Sequence, residues 1–298
     1  PIPCMLSTNK PTNTRYYKNN IIYEYDILSS TQSFLKDNIS LIYNKIDKDI
    51  RNVVVVAKYQ THGRGRINNN WKSYNGCLMF SIAQPISISD RRDRNDKNFD
   101  ICDRDDINSN INNINNINNI NIYINYLITI SDTLKQFGVN ASIKWPNDIL
   151  VEEDKISGII VDIVDGYIIV GIGINLYYEE YSFDDISMRK YINGTERYSV
   201  SNKIYSNVEQ LSGIRIQKYD FLDMYLKLLR NDNFIVLEDI LKYYNFKKYI
   251  FYGDIQLLVK DICEGNLIAV NNDGREFVFN TMKYSYDHKN NRIYEKNN

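Results

Sequence analysis

The stretch Lys144-Trp145-Pro146-Asn147-Asp148 lies near the middle of the chain, between a run with helical spacing and a run rich in strand-forming residues. Proline at 146 fixes its own φ angle and favours an extended conformation in the residue before it. The sequence therefore predicts a strand over 143–145, a turn over 146–148 and a second strand from Ile149. A lysine at a strand end can place one cation at a fixed point, although a solvated surface lysine beside a turn is commoner.

A second stretch, Gln60-Thr61-His62-Gly63-Arg64-Gly65-Arg66, follows the apolar run 53–57, which is typical of a buried strand. Residues 50–89 contain five basic and no acidic residues, a local charge of +5 in a chain of net charge −1. Glycines let the backbone approach a ligand, and arginines bind carboxylate or phosphate groups bidentately. We interpret this stretch as an anion-binding loop, with an exposed loop without ligand, or a short RNA contact, as the alternatives.

The composition excludes several classes of protein. The 298 residues are enough for one large or two modest domains, and 43% of them are hydrophobic. The nearly neutral charge implies no global attraction to nucleic acid or to an anionic membrane, and no apolar run approaches the ~20 residues of a membrane span. A disulfide scaffold or a Ser–His–Asp centre is disfavoured, because the four cysteines form no C-x-x-C pair and only two histidines occur.

The first half of the chain is predicted to begin with a loose polar arm over residues 1–20 and a strand over 21–26. Hydroxyl residues at 29–31 precede a run with helical spacing, so they are candidates for the helix N-cap and for contacts to a small polar ligand. A mixed charge run and an Asn-Asn-Ile tract fill residues 88–121. A period of three fits neither helix nor strand, so this part is predicted to be a low-complexity surface insertion.

After the insertion, a helix is predicted over 122–137, with Gly138 at its C-cap. Two strands, 155–164 and 167–176, flank the hairpin signal Asp165-Gly166. Gly171 and Gly173 fall on one face of the second strand and are expected to leave a groove where a ligand lies against backbone. No helix follows these glycines directly, so they are not a dinucleotide-binding fingerprint.

The last third of the chain combines a loop-rich region, two segments with helical spacing and a run of short strands. Residues 177–215 are predicted to be rich in loops, and helical spacing recurs over 219–229 and 234–244. From Tyr249 onward, short apolar strands alternate with turn signals, as in a small all-β unit of the SH3-like kind. The boundary between the two domains is predicted near 247–250.

In chain order the motifs are Ser-Thr-Gln at 30–32, the Gly-Arg-Gly-Arg loop at 63–66, Lys-Trp-Pro-Asn-Asp at 144–148, Lys-Ile-Ser-Gly-Ile at 155–159 and Gly-Ile-Gly-Ile-Asn at 171–175. This ordered set resembles biotin protein ligases, also called biotin–[acetyl-CoA-carboxylase] ligases or holocarboxylase synthetases. The Gly-Arg-Gly-Arg and Lys-Trp-Pro-Asn-Asp motifs in this order are its most specific part. The resemblance implies the ligase-only form, because the family's winged-helix DNA-binding domain has no counterpart before residue 21.

The resemblance implies an α+β fold in which a class II synthetase-like biotin/lipoate ligase domain, a mixed sheet with flanking helices, precedes a C-terminal SH3-like barrel. The expected division is a flexible arm at 1–20, a catalytic domain at 21–248 that contains the 88–121 insertion, and the barrel at 249–298. The implied reaction uses ATP to convert biotin into biotinyl-5′-AMP. A lysine of a biotin carboxyl carrier domain then accepts the biotinyl group. Mg²⁺ is implied by the ATP chemistry, without a protein ligand that the sequence can name.

The site residues that the resemblance implies fall into three groups. Those expected to act in catalysis are Lys144 and Arg66. Those expected at biotin are Ser30, Thr31, Gln32, Gln60, Gly63, Arg64, Gly65, Arg66, Lys144, Gly171 and Gly173. Those expected at ATP are Arg66, Trp71, Lys144, Lys155 and Asn175. No metal ligand is assigned. Trp71 is equally interpretable as a core residue from the sequence alone.

Two departures from the family pattern bear on these assignments. Gln32 stands where many relatives have asparagine, and the barrel shows Thr281-Met282-Lys283-Tyr284-Ser285 in place of the family's Gly-Glu-containing last strand. Nucleotide contacts from the barrel are therefore left unassigned. A lipoate–protein ligase would share the fold and the adenylation chemistry, but it lacks this pairing of motifs. An RNA-binding module is the alternative from another class, and the neutral net charge opposes it.

The expected partner is a biotin carboxyl carrier domain of a biotin-dependent carboxylase. No DNA or membrane partner is expected, and a homodimer is left open. The expected location is the cytoplasm. An organelle such as a plastid is left open as well, because the sequence does not begin with Met and its N-terminus is not known to be complete.

Overall fold

The computed structural model describes the chain at residues 10–66, 69–86, 124–179, 205–229, 237–263 and 265–296. The predicted insertion at 88–121 and the first nine residues of the predicted arm lie outside these ranges. Within them, no helix combines the length and the apolar composition that crossing a bilayer requires.

The larger of two sheets has eight strands in the order β1-β2-β3-β4-β8-β7-β6-β5. β2 and β3 run parallel, whereas the other neighbours are antiparallel, so the predicted mixed sheet is confirmed. The strands are β1 Asn13–Tyr17, β2 Asn20–Leu28, β3 Asn52–Gln60, β4 Asn75–Pro85, β5 Ser142–Lys144, β6 Asp148–Val151, β7 Asp154–Val164 and β8 Tyr167–Glu179.

Helices cover both faces of this sheet. They are α1 Thr31–Tyr43, α2 with its described part at 124–136, α3 Val208–Ser212 and α4 Lys218–Leu228. Val53 and Val55 of β3 pack in one cluster with apolar residues of α1. Val54 and Val56 pack in a second cluster with apolar residues of α2 and α4. Adjacent strand residues point to opposite faces, which explains why a strand covered on both sides is apolar throughout.

The turns follow the predicted chemistry. Ser30 is the N-cap of α1, and its side chain accepts a hydrogen bond from the Ser33 N–H. Asp165 and Gly166 join β7 to β8 with φ angles of 52° and 79°. A two-residue hairpin turn with positive φ at both positions is the kind that Asp-Gly favours. Gly138 has a φ of 82° just after α2, where a left-handed helix cap is predicted.

The Lys-Trp-Pro-Asn-Asp stretch forms the predicted strand–turn–strand. β5 ends at Lys144, β6 begins at Asp148, and these two residues pair across the hairpin. Trp145 is buried in the turn, and its indole Nε1–H donates to the Gly265 carbonyl at 2.8 Å. The turn therefore joins the eight-stranded sheet to the C-terminal domain.

That C-terminal domain is a six-stranded sheet in the order β12-β11-β10-β9-β14-β13. Its strands are β9 Tyr249–Tyr252, β10 Ile255–Cys263, β11 Asn266–Val270, β12 Glu276–Phe279, β13 Tyr284–Asp287 and β14 Arg292–Glu295. This second sheet is consistent with the predicted SH3-like domain, and its first strand begins at Tyr249. β9, β13 and β14 were not predicted; each is four residues long, and β13 and β14 also contain charged residues.

The structure adds detail to three predictions. The arm is not loose throughout, because residues 13–17 pair with β2 as an edge strand. The segment predicted as a helix over 234–244 contains a 3₁₀ helix at Leu237–Tyr243. The region predicted as loop contains the short α3, whose Asn207 N-cap accepts from Gln210 N–H. Polar composition misled the first and third predictions, because both elements gain stability from pairing or capping rather than from an apolar face.

Candidate functional site

A cavity of about 470 Å³ opens between the eight-stranded sheet and the C-terminal domain. Its walls come from the start of α1, the loop after β3, the adjacent strands β7 and β8, the turn before β6 and the last strands of the chain. Predicted site residues among the described lining are Ser30, Thr31, Gln32, Gln60, Arg64, Gly65, Arg66, Trp71, Lys155, Gly171 and Gly173. Residues far apart in the sequence are thus brought to one concave surface.

Three predicted site residues do not line the cavity. Gly63 is buried beneath the loop, where a Cβ would lie 2.4 Å from the Trp71 carbonyl oxygen, so glycine is needed for packing. Asn175 donates from Nδ2 to the Ser206 carbonyl at 3.1 Å and so holds the segment before α3. Lys144 is partly buried, with Nζ 3.7 Å from Asp148 Oδ2. Lys144 therefore reaches the cavity wall only through Asp148, which lines the cavity.

At the start of α1, hydroxyl and amide groups form the polar end of the cavity. Gln60 Oε1 accepts from the Thr31 backbone N–H at 2.7 Å and from Thr31 Oγ1 at 3.2 Å. Thr31 Oγ1 also lies 2.8 Å from Ser81 Oγ. These groups are buried, so their orientations are fixed by one another. Ser81 was not predicted as a site residue; it lies within an apolar strand pattern.

Gln32 is the most constrained residue of this polar end. Its Nε2 donates to Asp162 Oδ2 at 3.0 Å and to the Ile169 carbonyl at 2.9 Å, which uses both amide hydrogens. Because two acceptors face this atom, it must be the amide nitrogen, and Oε1 must be the oxygen. Oε1 is buried and has no hydrogen-bond partner among the described residues, and it lies beside Gly171 on the cavity wall. This acceptor is therefore fixed and unpaired just behind the cavity wall.

Asp162 holds this end together, although it was not predicted. Besides Gln32, its carboxylate faces Lys36 Nζ at 2.9 Å and Arg64 at 3.9 Å. A lone acidic residue in the otherwise apolar stretch of β7 from Ile159 to Val164 is the signal that could have identified it. Its position orients both the amide of Gln32 and the first arginine of the Gly-Arg-Gly-Arg loop.

Gly171 and Gly173 share one face of β8, as predicted, but the groove is not open at both. A Cβ at Gly173 would lie 2.3 Å from Trp71 Cε2, so the indole packs directly on this glycine. The indole Nε1 is 3.3 Å from Cys77 Sγ, and burial raises the pKa of the Cys77 thiol to about 12. At Gly173 the Trp71 indole occupies the groove, and its close approach requires glycine there.

Basic side chains gather at the opposite end of the cavity. Lys155 Nζ lies 2.7 Å from Asp148 Oδ1, and Lys144 approaches the other oxygen of the same carboxylate. Arg66 donates to Asn147 Oδ1 at 3.0 Å and to the Thr281 carbonyl at 2.6 Å. Asp148 and Asn147 were not predicted as site residues, although they belong to the motif that contains Lys144. The side chains of Asn147 and Asp148 line the basic end of the cavity and hold Arg66 and the two lysines, so the motif contributes more than Lys144.

The C-terminal domain supplies part of the lining through Ser285, Tyr294 and Lys296. Lys296 donates from Nζ to the Thr281 carbonyl. Burial, and then the neighbouring charge of Arg66, lower the pKa of Lys296 to about 8, against an opposing effect of Asp148. No motif in the sequence marked these residues, because their place at the site depends on how the two domains meet.

The described residues do not form a protein site for the Mg²⁺ that ATP chemistry implies. Within the described ranges, no group of three His, Cys, Asp or Glu side chains is placed to hold a metal ion. Asp148 is the one acidic residue among the described lining, and it already faces two ammonium groups. Magnesium usually needs a carboxylate together with substrate phosphates. The donor set of the described residues therefore does not fit a protein-bound Mg²⁺ ion.

A family model described as the biotin/lipoate A/B protein ligase family matches residues 26–178, about half of the 298-residue chain. Among solved structures, the chain is similar to the biotin protein ligase from Aquifex aeolicus in complex with biotin and ATP, with 19% identity and a TM-score of 0.56. This match covers 87% of this chain and 96% of that one.

The apo form of the Aquifex aeolicus ligase matches with 17% identity and a TM-score of 0.54, over 87% of this chain and 95% of that one. Biotin acetyl coenzyme A carboxylase synthetase from Helicobacter pylori with bound biotinylated ATP matches with 20% identity and a TM-score of 0.48, over 93% and 97%. At such identities, the Aquifex matches show that the fold is shared.

Proposed function

The chain belongs to the biotin/lipoate A/B protein ligase family, and from this premise we propose that it attaches biotin to a lysine of a biotin carboxyl carrier domain. ATP and biotin are its substrates, and biotinyl-5′-AMP is the intermediate. The similar Aquifex aeolicus ligase structure, a complex with biotin and ATP, supports this proposal, as do the cavity and its two chemically distinct ends.

The observation that carries the choice of biotin is the unpaired acceptor of Gln32. A buried acceptor without a partner costs about 1–3 kcal/mol, which a ligand N–H recovers. The ureido ring of biotin carries N–H donors, whereas the dithiolane ring of a lipoyl group carries none. The polar end of the cavity therefore suits a ureido ring, and the basic end suits the carboxylate and phosphates of the reacting groups.

In the first half-reaction, a carboxylate oxygen of biotin forms a bond to the α-phosphorus of ATP. The bond from that phosphorus to the bridging α,β-oxygen breaks, and pyrophosphate leaves with the electron pair. Negative charge is crowded at the reacting centre, so fixed cations lower the barrier. We assign this role to Lys144, after its ammonium turns from Asp148 toward the ligand, with Lys155 and Arg66 on the phosphates. Trp71, which lines the cavity, is assigned to the nucleotide side.

In the second half-reaction, the amine of the carrier lysine attacks the carbonyl carbon of the mixed anhydride. The bond from this carbon to the phosphate oxygen breaks, AMP leaves with the electron pair, and the amine proton passes to solvent. Between the two steps the anhydride must be kept from water. Arg64 and Arg66 lie on the loop after β3, which lines the cavity, and are assigned to hold the intermediate there.

Incubation of the purified chain with labelled biotin and ATP, followed by mass analysis, tests the proposal. We expect biotinyl-AMP and, with an added carrier domain, one biotinylated lysine. Formation of lipoyl-AMP instead would favour the lipoate ligase. Neither adenylate, together with tight RNA binding, would favour an RNA-binding module, for which family membership gives no support.

Replacing Gln32 with methionine is expected to weaken biotin binding about tenfold, because one hydrogen bond at a buried, pre-oriented acceptor is worth roughly 1.4 kcal/mol. ATP affinity should stay unchanged, since Gln32 lies at the opposite end of the cavity. Calorimetric titration with biotin and with ATP measures both. Gln256, exposed on β10, provides the matched control when it is replaced with methionine. Equal biotin affinity in wild type and the Gln32 variant would contradict the assignment.

A further inference from the structure

The amide of Gln32 is held by two acceptors that come from paired residues of the β7–β8 hairpin. Asp162 and Ile169 lie opposite each other in the ladder, and Gln32 Nε2 donates to the Asp162 carboxylate at 3.0 Å and to the Ile169 carbonyl at 2.9 Å. An amide turned the other way would place its oxygen against both acceptors. The hairpin therefore determines which end of the amide faces Gly171.

Asp162 is the side chain that sets this orientation, because the other acceptor is a backbone carbonyl. Lys36 lies one turn after Gln32 on α1, so the helix directs two donors to the same carboxylate. Lys36 Nζ is 2.9 Å from Asp162 Oδ1, and Arg64 is 3.9 Å from Oδ2. All three described side-chain partners of Asp162 are donors, and an ionised carboxylate can only accept. Its two oxygens are thus divided between Lys36 and Gln32.

The result of this arrangement is an acceptor that no described group satisfies. Gln32 is only 2% exposed, and its Oε1 has no hydrogen-bond partner among the described residues. A Cβ at position 171 would lie 2.6 Å from this oxygen, so glycine there leaves room beside it. Gln32 and Gly171 both line the cavity. A ligand N–H at this point is favoured, whereas a ligand lone pair is disfavoured.

We propose that Asp162 is a positioning residue that makes the site select for a ligand N–H, and that it acts through Gln32. The inference rests on the proposed function, because the ureido ring of biotin supplies the N–H. It goes further by assigning the choice between donor and acceptor to a residue on β7 outside the sequence motifs. Asp162 is absent from the described lining of the cavity, so its effect on the ligand is indirect.

Asp162→Asn isolates this role, because it keeps the size of the side chain and leaves one oxygen where there were two. Lys36 and Gln32 then compete for that oxygen. When the oxygen faces Lys36, the new amide hydrogens face Gln32 and favour the turned amide. Replacing Lys36 with methionine in the same protein removes the competitor, so the oxygen can return to Gln32. A second substitution is therefore expected to repair the effect of the first.

Calorimetric titration of the intact protein with biotin, with ATP and with the two cyclic-carbamate analogues of biotin tests the proposal. Each analogue has a ring oxygen in place of one ureido N–H, at nearly the same size. Wild type should bind at least one analogue about tenfold to a hundredfold more weakly than biotin, because a lone pair then meets Oε1. In Asp162→Asn this ratio should fall to about threefold or less, with ATP affinity unchanged.

The double variant Lys36→Met/Asp162→Asn should restore the ratio to within about twofold of wild type, and Lys36→Met alone should keep it. Asp165→Asn, at an exposed residue of the β7–β8 turn, is the matched control and should also keep it. Asp162→Ser is too short to reach Gln32 and should lower the ratio too, which provides a second test if Asp162→Asn does not fold. The ratio separates positioning from general damage, since a damaged fold weakens biotin and its analogues alike.

An unchanged ratio in folded Asp162→Asn or Asp162→Ser would overturn the proposal, as would a double variant that restores nothing. Equal binding of biotin and both analogues by wild type would overturn it as well. Wild type that forms biotinyl-AMP, together with variants that keep the ratio, would refute this inference alone. Wild type that binds no biotin would instead refute the proposed function on which the inference rests.

Discussion

Replacing Lys144 with alanine is expected to slow adenylate formation about 10²–10³-fold while the protein stays folded, because electrostatic groups at a reacting centre have effects of this size. Lys144 ends β5 on a short hairpin, and its Nζ faces Asp148, which lines the cavity. The strand fixes where the cation starts, and a rotation of the side chain would bring it to the reacting carboxylate. Removal should not leave Asp148 unpaired, because Lys155 remains 2.7 Å from its Oδ1.

Release of labelled pyrophosphate under single-turnover conditions measures this effect, and thermal unfolding checks the fold. Lys260→Ala, at an exposed lysine in β10, serves as the matched control and should release pyrophosphate at the wild-type rate. A rate for Lys144→Ala within a few-fold of wild type would show that Lys144 only pairs with Asp148. The fixed cation of the first half-reaction would then have to be Lys155, which lines the cavity directly.

Local rules account for much of the fold. The Ser30 cap, the Asp165-Gly166 turn and the strands around Lys144 follow from interactions between residues close in sequence, which the sequence displays. The buried strand β3 is equally visible, because a strand covered on both faces has no polar side. The edge strand β1 is different, since its stability comes from pairing with β2 and not from burial of its own residues.

The site is less predictable because its parts meet only in the tertiary structure. The motif residues could be assigned from the resemblance, and the cavity brings most of them together. Asp162 and Ser81 were missed because the role of a single polar residue in an apolar strand cannot be inferred until its hydrogen-bond partners are known. Lys296 and Thr281 were missed for a stronger reason, since their contact to Arg66 spans more than two hundred residues and depends on how the barrel docks.

Arg66→Gly is expected to separate the two half-reactions. Arg66 anchors the loop after β3 at two points, Asn147 Oδ1 and the Thr281 carbonyl, and it lines the basic end of the cavity. Glycine removes both anchors and any arginine–phosphate contact to the adenylate. Loss of such a charge-assisted contact should weaken the hold on the intermediate by roughly 1.5–3 kcal/mol, or about ten- to a hundredfold in affinity.

Lys144 and Lys155 remain in the Arg66→Gly variant, so biotinyl-AMP should still form, though more slowly. The reactive anhydride should then escape and acylate lysines of bystander proteins. Biotin incorporation into added albumin, compared at equal adenylate production, measures this escape. Arg275→Gly, which removes an exposed arginine from a turn of the C-terminal domain, should label albumin no more than wild type does. Albumin labelling by Arg66→Gly at the wild-type level, with normal retention of the adenylate, would mean that its two anchors hold the loop without holding the intermediate.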